Sequence, residues 1–131
     1  MKTLIADDSV TSRRLLQELL KSYGPSDLAA TGTEAVAAVR AALEAGAPYD
    51  LICLDIMMPE MDGQAALQEI RRLEAASSIA GPGRVKIIMT TALADKANIL
   101  QARAQRCDCF LVKPIQKAKL LAELRTLRLI D

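Results

Sequence analysis

The stretch Leu51-Ile52-Cys53-Leu54-Asp55-Ile56-Met57-Met58-Pro59-Glu60-Met61-Asp62-Gly63 opens as an unbroken apolar run, stops on a carboxylate and passes into a turn-rich loop. An apolar run of this kind, without polar alternation, reads as a strand buried on both faces, as in a parallel sheet covered by helices. We place this strand at 50–54, the loop at Met58–Gly63 and a helix at about 64–76.

The same pattern repeats on either side. Residues 2–6 form a first strand, and Ser9 caps a helix with Leu15, Leu16, Leu19 and Leu20 on its inner face. Tyr23-Gly24-Pro25 stops that helix. A weak strand follows near 27–30, and Thr33 caps an Ala-rich helix carrying Val36, Val39 and Leu43 that Gly46 and Pro48 close. Beyond a Ser77–Arg84 surface loop come a strand at 85–90, a helix at 94–105, a strand at 109–112 and a last helix at 116–128. Short apolar runs alternating with helical patterns make five βα units, an α/β chain with a parallel sheet. With 131 residues and no internal linker, the chain is expected to be a single domain spanning 1–131, without an output domain.

Bulk composition excludes several classes. A net charge of +1 offers no long-range field for nucleic acid or an anionic membrane. No apolar stretch is long enough to span a bilayer, and Asp7-Asp8 interrupt any signal peptide, so a cytoplasmic location is expected. The chain has no histidine, which removes Ser-His and Cys-His pairs, His-based metal sites and a phosphohistidine of its own. Of the three cysteines, Cys107 and Cys109 form a C-x-C without a partner motif. All three are read as small buried hydrophobes.

Polar residues appear where the apolar runs end: Asp7-Asp8, Asp55, Thr91 and Lys113-Pro114. Parallel sheets bind ligands at the carboxyl ends of their strands, so these residues share one crevice. Three carboxylates there repel: at about 6 Å and an effective dielectric near 20, each pair costs roughly 3 kcal/mol. A divalent cation turns that repulsion into attraction, and oxygen ligands suit Mg²⁺. Asp55 can act as a nucleophile toward phosphorus, Thr91 can donate a hydroxyl hydrogen bond, and Pro114 permits a cis bond after Lys113. Each residue also has an ordinary structural role, with Asp8 a helix cap, Asp55 a turn residue and Lys113 a solvated cation.

The stretches Leu4-Ile5-Ala6-Asp7-Asp8-Ser9, Leu54 to Gly63, Thr91-Ala92 and Phe110-Leu111-Val112-Lys113-Pro114 resemble the receiver domain of bacterial response regulators, over essentially the whole chain. The resemblance implies a flavodoxin-like, doubly wound five-stranded sheet with strand order 2-1-3-4-5. It implies that Asp55 accepts a phosphoryl group from a sensor histidine kinase or a histidine phosphotransfer protein. Asp8 and Asp55 would hold Mg²⁺ (or Mn²⁺) directly with the Met57 carbonyl, and Asp7 through water. Lys113, Thr91 and Ala92 would meet the phosphoryl group, and Phe110 would rotate inward as the switch.

A message to an unknown protein target would pass through the 94–105 helix, the fifth strand and the last helix, without direct DNA binding. The protein would be a monomer or weak dimer. It would be a regulatory phosphoacceptor and not an enzyme acting on other molecules. Phe110 stands where Tyr is frequent in the family, so readout should rest on apolar contact. Met57 and Leu93 cannot orient water, which implies slow self-dephosphorylation, and Arg106 replaces a common Gly. Two competing readings are a haloacid-dehalogenase-like phosphohydrolase, which would need an acid where Met57 stands, and a receiver that is never phosphorylated.

Overall fold

The structure, a computed structural model, describes residues 1–77, 84–92 and 107–131. Five parallel strands, β1 (Thr3–Ala6), β2 (Ser26–Ala29), β3 (Leu51–Asp55), β4 (Lys86–Thr91) and β5 (Cys109–Val112), form one sheet in the order β2-β1-β3-β4-β5. This is the order that the resemblance implies. Four helices are described: α1 (Val10–Leu20), α2 (Gly32–Glu44), α3 (Gly63–Ala76) and a C-terminal helix (Lys117–Thr126). The expected helix at 94–105, most of the 77–84 loop, Leu93 and Arg106 lie outside the described residues.

The two-residue period of the strands splits the core into two layers. Leu4, Ile52, Leu54, Ile87 and Met89 face one side, where α2 brings Val36 and Val39 and α3 brings Leu67 and Ile70. Ile5, Leu51, Cys53, Ile88 and Leu111 face the other, under Leu16 and Leu20 of α1 and Leu120 and Leu124 of the C-terminal helix. Every residue of β3 is buried because it pairs with β1 and β4 and is covered on both faces. The apolar run that opened the sequence reading is thus the centre of the sheet.

Local departures have local causes. The cap of α2 is Thr31 and not Thr33: the Thr31 hydroxyl accepts from the Glu34 N–H at 3.1 Å, and the Glu34 carboxylate accepts from the Ala30 N–H at 2.6 Å. Thr31 and Glu34, at capping-box spacing, thus satisfy two backbone N–H groups at the helix start, which a hydroxyl two positions later does not. Leu15 is 40% exposed instead of facing the core, since Leu16 and Leu20 already fill the stripe above the sheet. Strands three and four run one residue further than expected, because Asp55 pairs with Thr90 and the Ile56 N–H continues the ladder to the Thr90 carbonyl at 3.0 Å. The last helix is shorter at both ends and stops before Arg128, which has φ 61°.

A buried polar network ties α3 to the starts of β4 and β5. Arg71 Nη1 lies 2.7 Å from Glu74 Oε1 and 2.8 Å from the Val85 carbonyl, and Nη2 lies 3.1 Å from Asp108 Oδ2. Glu74 also accepts from the Val85 N–H at 2.6 Å, and Asp108 from the Ile87 N–H at 2.8 Å. Deleting one partner of such a network leaves uncompensated charge and unpaired backbone. Asp108→Ala should therefore cost about 3 kcal/mol of stability, read from the urea midpoint. Glu18→Ala, which breaks the exposed pair with Lys21, should cost about 0.5 kcal/mol or less.

Candidate phosphoacceptor site

Asp7 follows β1 directly, and its N–H extends the sheet ladder to the Ala29 carbonyl at 3.0 Å. Its side chain is fully buried, with Oδ1 accepting from the Ser9 N–H at 2.9 Å. Arg13 on α1 donates from Nη1 to the Asp7 carbonyl at 2.7 Å, so the first turn of the helix holds the acid pair from behind. Ser9 is the cap of α1, accepting from the Ser12 N–H at 3.3 Å. Asp8 is therefore not used as a cap and stands exposed beside the crevice.

Asp55 ends β3 at 4% exposure, and its Oδ1 accepts from the Met57 N–H at 3.3 Å. The loop then closes tightly: the Gly63 N–H donates to the Ile56 carbonyl at 2.8 Å, and a Cβ at Gly63 would collide with the Asp55 carbonyl. Glycine is required there by this close approach. Asp62 caps α3 by accepting from the Ala65 N–H at 2.9 Å. Met58 is buried and anchors the loop, whereas Met57 points outward at 62% exposure.

Lys113 reaches across the strand ends. Its Nζ lies 2.7 Å from Asp7 Oδ2 and 3.1 Å from Asp55 Oδ2. The Lys113–Pro114 peptide bond is cis, and the Lys113 N–H donates to the Thr91 carbonyl at 2.7 Å. Asp7, Asp8 and Asp55 each offer one carboxylate oxygen within 4.8 Å of the others. At that spacing and an effective dielectric near 20, each carboxylate pair repels by about 3 kcal/mol, and one ammonium does not balance three acids.

The titration behaviour follows. Burial, and then the neighbouring Asp7, push the Asp55 carboxyl up to about 6, against the opposing pull of Lys113 and the Met57 N–H. Burial works against the Lys113 charge, but Asp7 and Asp55 outweigh it and raise its pKa above the ordinary lysine value.

The donor set fits a hard divalent cation. Three carboxylates of mixed burial supply oxygen ligands, and Asp7 Oδ2 is buried without an aligned hydrogen bond despite its short contact with Lys113. Asp7, Asp8 and Asp55 are the residues able to hold Mg²⁺. Among the described residues they are the only such cluster of three or more metal-capable side chains. The cysteines stay apart from this chemistry: burial pushes the Cys53 thiol up to about 12 and raises that of Cys109 as well.

Thr91 ends β4, buried, in register with Val112. Phe110 pairs with Met89 and is half-buried against the α2–α3 core layer, and Ala92 is exposed beside the site. Thr91 and Phe110 thus share one sheet face by strand alternation. Two participants escaped the sequence reading. Arg13 had a detectable signal, a cation one turn into the helix that follows the acid pair. Thr90 was absorbed into an apolar run, although it is the register partner of Asp55.

Residues 3–125 match the sequence model of the response regulator receiver domain. The chain is 30% identical over 125 residues to chemotaxis protein CheY of Bacillus subtilis, covering 92% of this chain and 91% of that protein. It is 35% identical over 127 residues to transcriptional regulatory protein ResD of the same organism, covering 96% of this chain and 47% of ResD. Against hybrid signal transduction histidine kinase L of Dictyostelium discoideum it is 35% identical over 120 residues, which is 91% of this chain and 7% of that protein. The chain thus spans under half the length of several curated relatives.

Among solved structures, a chain of the CheX-CheY-BeF3-Mg²⁺ complex from Borrelia burgdorferi superposes with a TM-score of 0.83 at 28% identity, covering 100% of this chain and 90% of that one. The receiver domain of a sensor histidine kinase from Pseudomonas aeruginosa PAO1, with magnesium coordinated in its active-site cleft, gives 0.76 at 26% identity, covering 97% of each chain. With the sheet order, the acid cluster and Lys113 already in place, these matches make the chain a member of the response regulator receiver domain family of two-component signalling.

Proposed function

We propose that this domain is a phosphorylation-dependent switch in which Asp55 accepts a phosphoryl group from a phosphohistidine on a sensor kinase or phosphotransfer protein. The observation that carries this reading is the Lys113 ammonium bridging Asp7 and Asp55 beside Asp8. The 131 residues hold no histidine, so the phosphoryl donor lies outside them. A phosphohydrolase of the haloacid-dehalogenase kind would need an acid where Met57 stands.

An Asp55 carboxylate oxygen attacks phosphorus in line, the bond from phosphorus to the donor nitrogen breaks, and the electron pair leaves with the imidazole. Lys113, already 3.1 Å from Asp55, pairs with the charge that arrives on the phosphoryl oxygens. Asp8, Asp55 and the Met57 carbonyl would hold Mg²⁺ directly, with Asp7 acting through water. Bound there, Mg²⁺ supplies charge neutralisation for the phosphoryl oxygens. The Thr91 hydroxyl would donate a hydrogen bond to the new phosphoryl group, and Phe110, on the same sheet face, would turn inward. The readout surface comprises Phe110, β5 and the C-terminal helix, presenting apolar contact to a protein target. Among the described residues, no helix is long and apolar enough to cross a membrane.

The direct test uses Mg²⁺ and acetyl phosphate. Intact mass should show a single alkali-labile phosphoryl group in wild type and none in Asp55→Ala, whereas uptake by the variant would overturn the assignment. Mg²⁺ alone should raise the melting temperature of wild type, and Asp8→Asn should lose that rise, because Asp8 is exposed and removable without disturbing the core.

Burial favours the protonated form of Asp55, so its stability contribution is fully present below the ordinary aspartate pKa near 4 and is lost as pH rises through about 6. Metal-free Asp55→Asn should therefore exceed wild type by about 2 kcal/mol at pH 7.5 and match it at pH 4, in chemical denaturation. Met57→Asn/Leu93→Glu should hydrolyse the aspartyl phosphate on the order of tenfold faster than wild type, followed by phosphate release.

A further inference from the structure

At the carboxyl edge of the sheet one row of residues crosses four strands. Asp55 pairs with Thr90 and Thr90 with Leu111, while Asp7 lies one step past the Ala6–Leu54 pair and so stands beside Asp55. Ile5, Cys53, Ile88 and Leu111 all face the layer under α1 and the C-terminal helix. Strand alternation therefore sends Asp7, Asp55 and Thr90 to that same side. Thr90 is 1% exposed, and its Oγ1 is buried without a hydrogen-bond partner. Its backbone is locked next to Asp55, because its carbonyl accepts the Ile56 N–H at 3.0 Å.

Valine would fill this volume with no polar atom. A buried hydroxyl with nothing to bond is disfavoured unless another state of the protein supplies a partner. Neighbouring strands lie about 4.8 Å apart, so the Thr90 and Asp55 side chains are neighbours on that face.

We infer that Thr90 is a positioning residue for the phosphorylated form of Asp55, donating a hydrogen bond to the Asp55 oxygen that does not bridge to phosphorus. The inference rests on Asp55 being the phosphoacceptor. In the unmodified site, Asp55 Oδ2 is held by Lys113 at 3.1 Å and Oδ1 by the Met57 N–H at 3.3 Å. Once one of these oxygens bonds phosphorus, Lys113 is drawn to the new phosphoryl oxygens. The remaining carbonyl oxygen of Asp55 then becomes the partner that Thr90 lacks. No proton leaves the hydroxyl and no covalent bond changes. The contact is absent from the unmodified site, where the Thr90 hydroxyl has no partner, so its formation favours the phosphorylated form without serving the resting fold.

Calorimetric binding of beryllofluoride, which bonds an aspartate oxygen as a phosphoryl group does, tests this in saturating Mg²⁺. Thr90→Val should bind beryllofluoride about tenfold more weakly, the equivalent of one hydrogen bond, with unchanged Mg²⁺ affinity and an equal or higher melting temperature. Thr90→Ser should restore binding to within about threefold of wild type. Wild-type affinity in Thr90→Val overturns the inference. So does a parallel loss of melting temperature and Mg²⁺ affinity, or a failure of Thr90→Ser to restore binding. A wild-type protein that binds Mg²⁺ but no beryllofluoride overturns the phosphoacceptor reading and this inference with it.

Discussion

Electrostatic imbalance at the end of β3 governs the rest of this structure. Three carboxylates lie within 4.8 Å of one another, and one ammonium bridges two of them. The fold tolerates this repulsion because the two buried acids are held from behind, while Asp8 faces solvent. Ser9 and Arg13 fix Asp7, and the Met57 N–H with the tight Gly63 approach fixes Asp55. The cost is a buried carboxyl pushed to about 6 in the resting state. The same cost is a binding potential for a divalent cation and for chemistry that changes the charge of Asp55.

The doubly wound sheet sets that local imbalance at the carboxyl ends of its strands. β3 is buried on both faces, and its neighbours β1 and β4 bring Asp7 and Thr90 level with Asp55. Lys113 extends from the edge strand β5, which also carries Phe110. Lys113, which meets Asp55, follows the last residue of β5 by one peptide bond and Phe110 by three. At the opposite end of the strands, Arg71, Glu74 and Asp108 fasten β4 and β5 to α3, so the two strands are fixed at one end and loaded at the other.

The placement of Asp7, Asp8, Asp55 and Lys113 was legible because unbroken apolar runs ending in polar residues encode both strand direction and the ligand edge, whereas the sheet order was implied by the family resemblance alone. Side-chain identity at the ends of buried strands carries more information than helix periodicity does. Leu15 illustrates the difference: its spacing suits the inner face, yet Leu16 and Leu20 occupy the available stripe. The cap at Thr31 and not Thr33 depended on Glu34, whose N–H donates to the Thr31 hydroxyl and whose carboxylate accepts from the Ala30 N–H. Thr90 and the Arg71–Glu74–Asp108 network were hidden for another reason. Their partners lie on other strands and helices, and only register and packing bring them together.

Reductive trapping of the acyl phosphate tests the account most directly. The protein is treated with Mg²⁺ and acetyl phosphate, reduced with borohydride, and its peptides are mapped by mass. An acyl phosphate at Asp55 becomes an alcohol, so the account predicts homoserine at position 55 and unmodified Asp7 and Asp8. Reduction at Asp7 or Asp8, or a complete absence of trapped product at position 55, would contradict it.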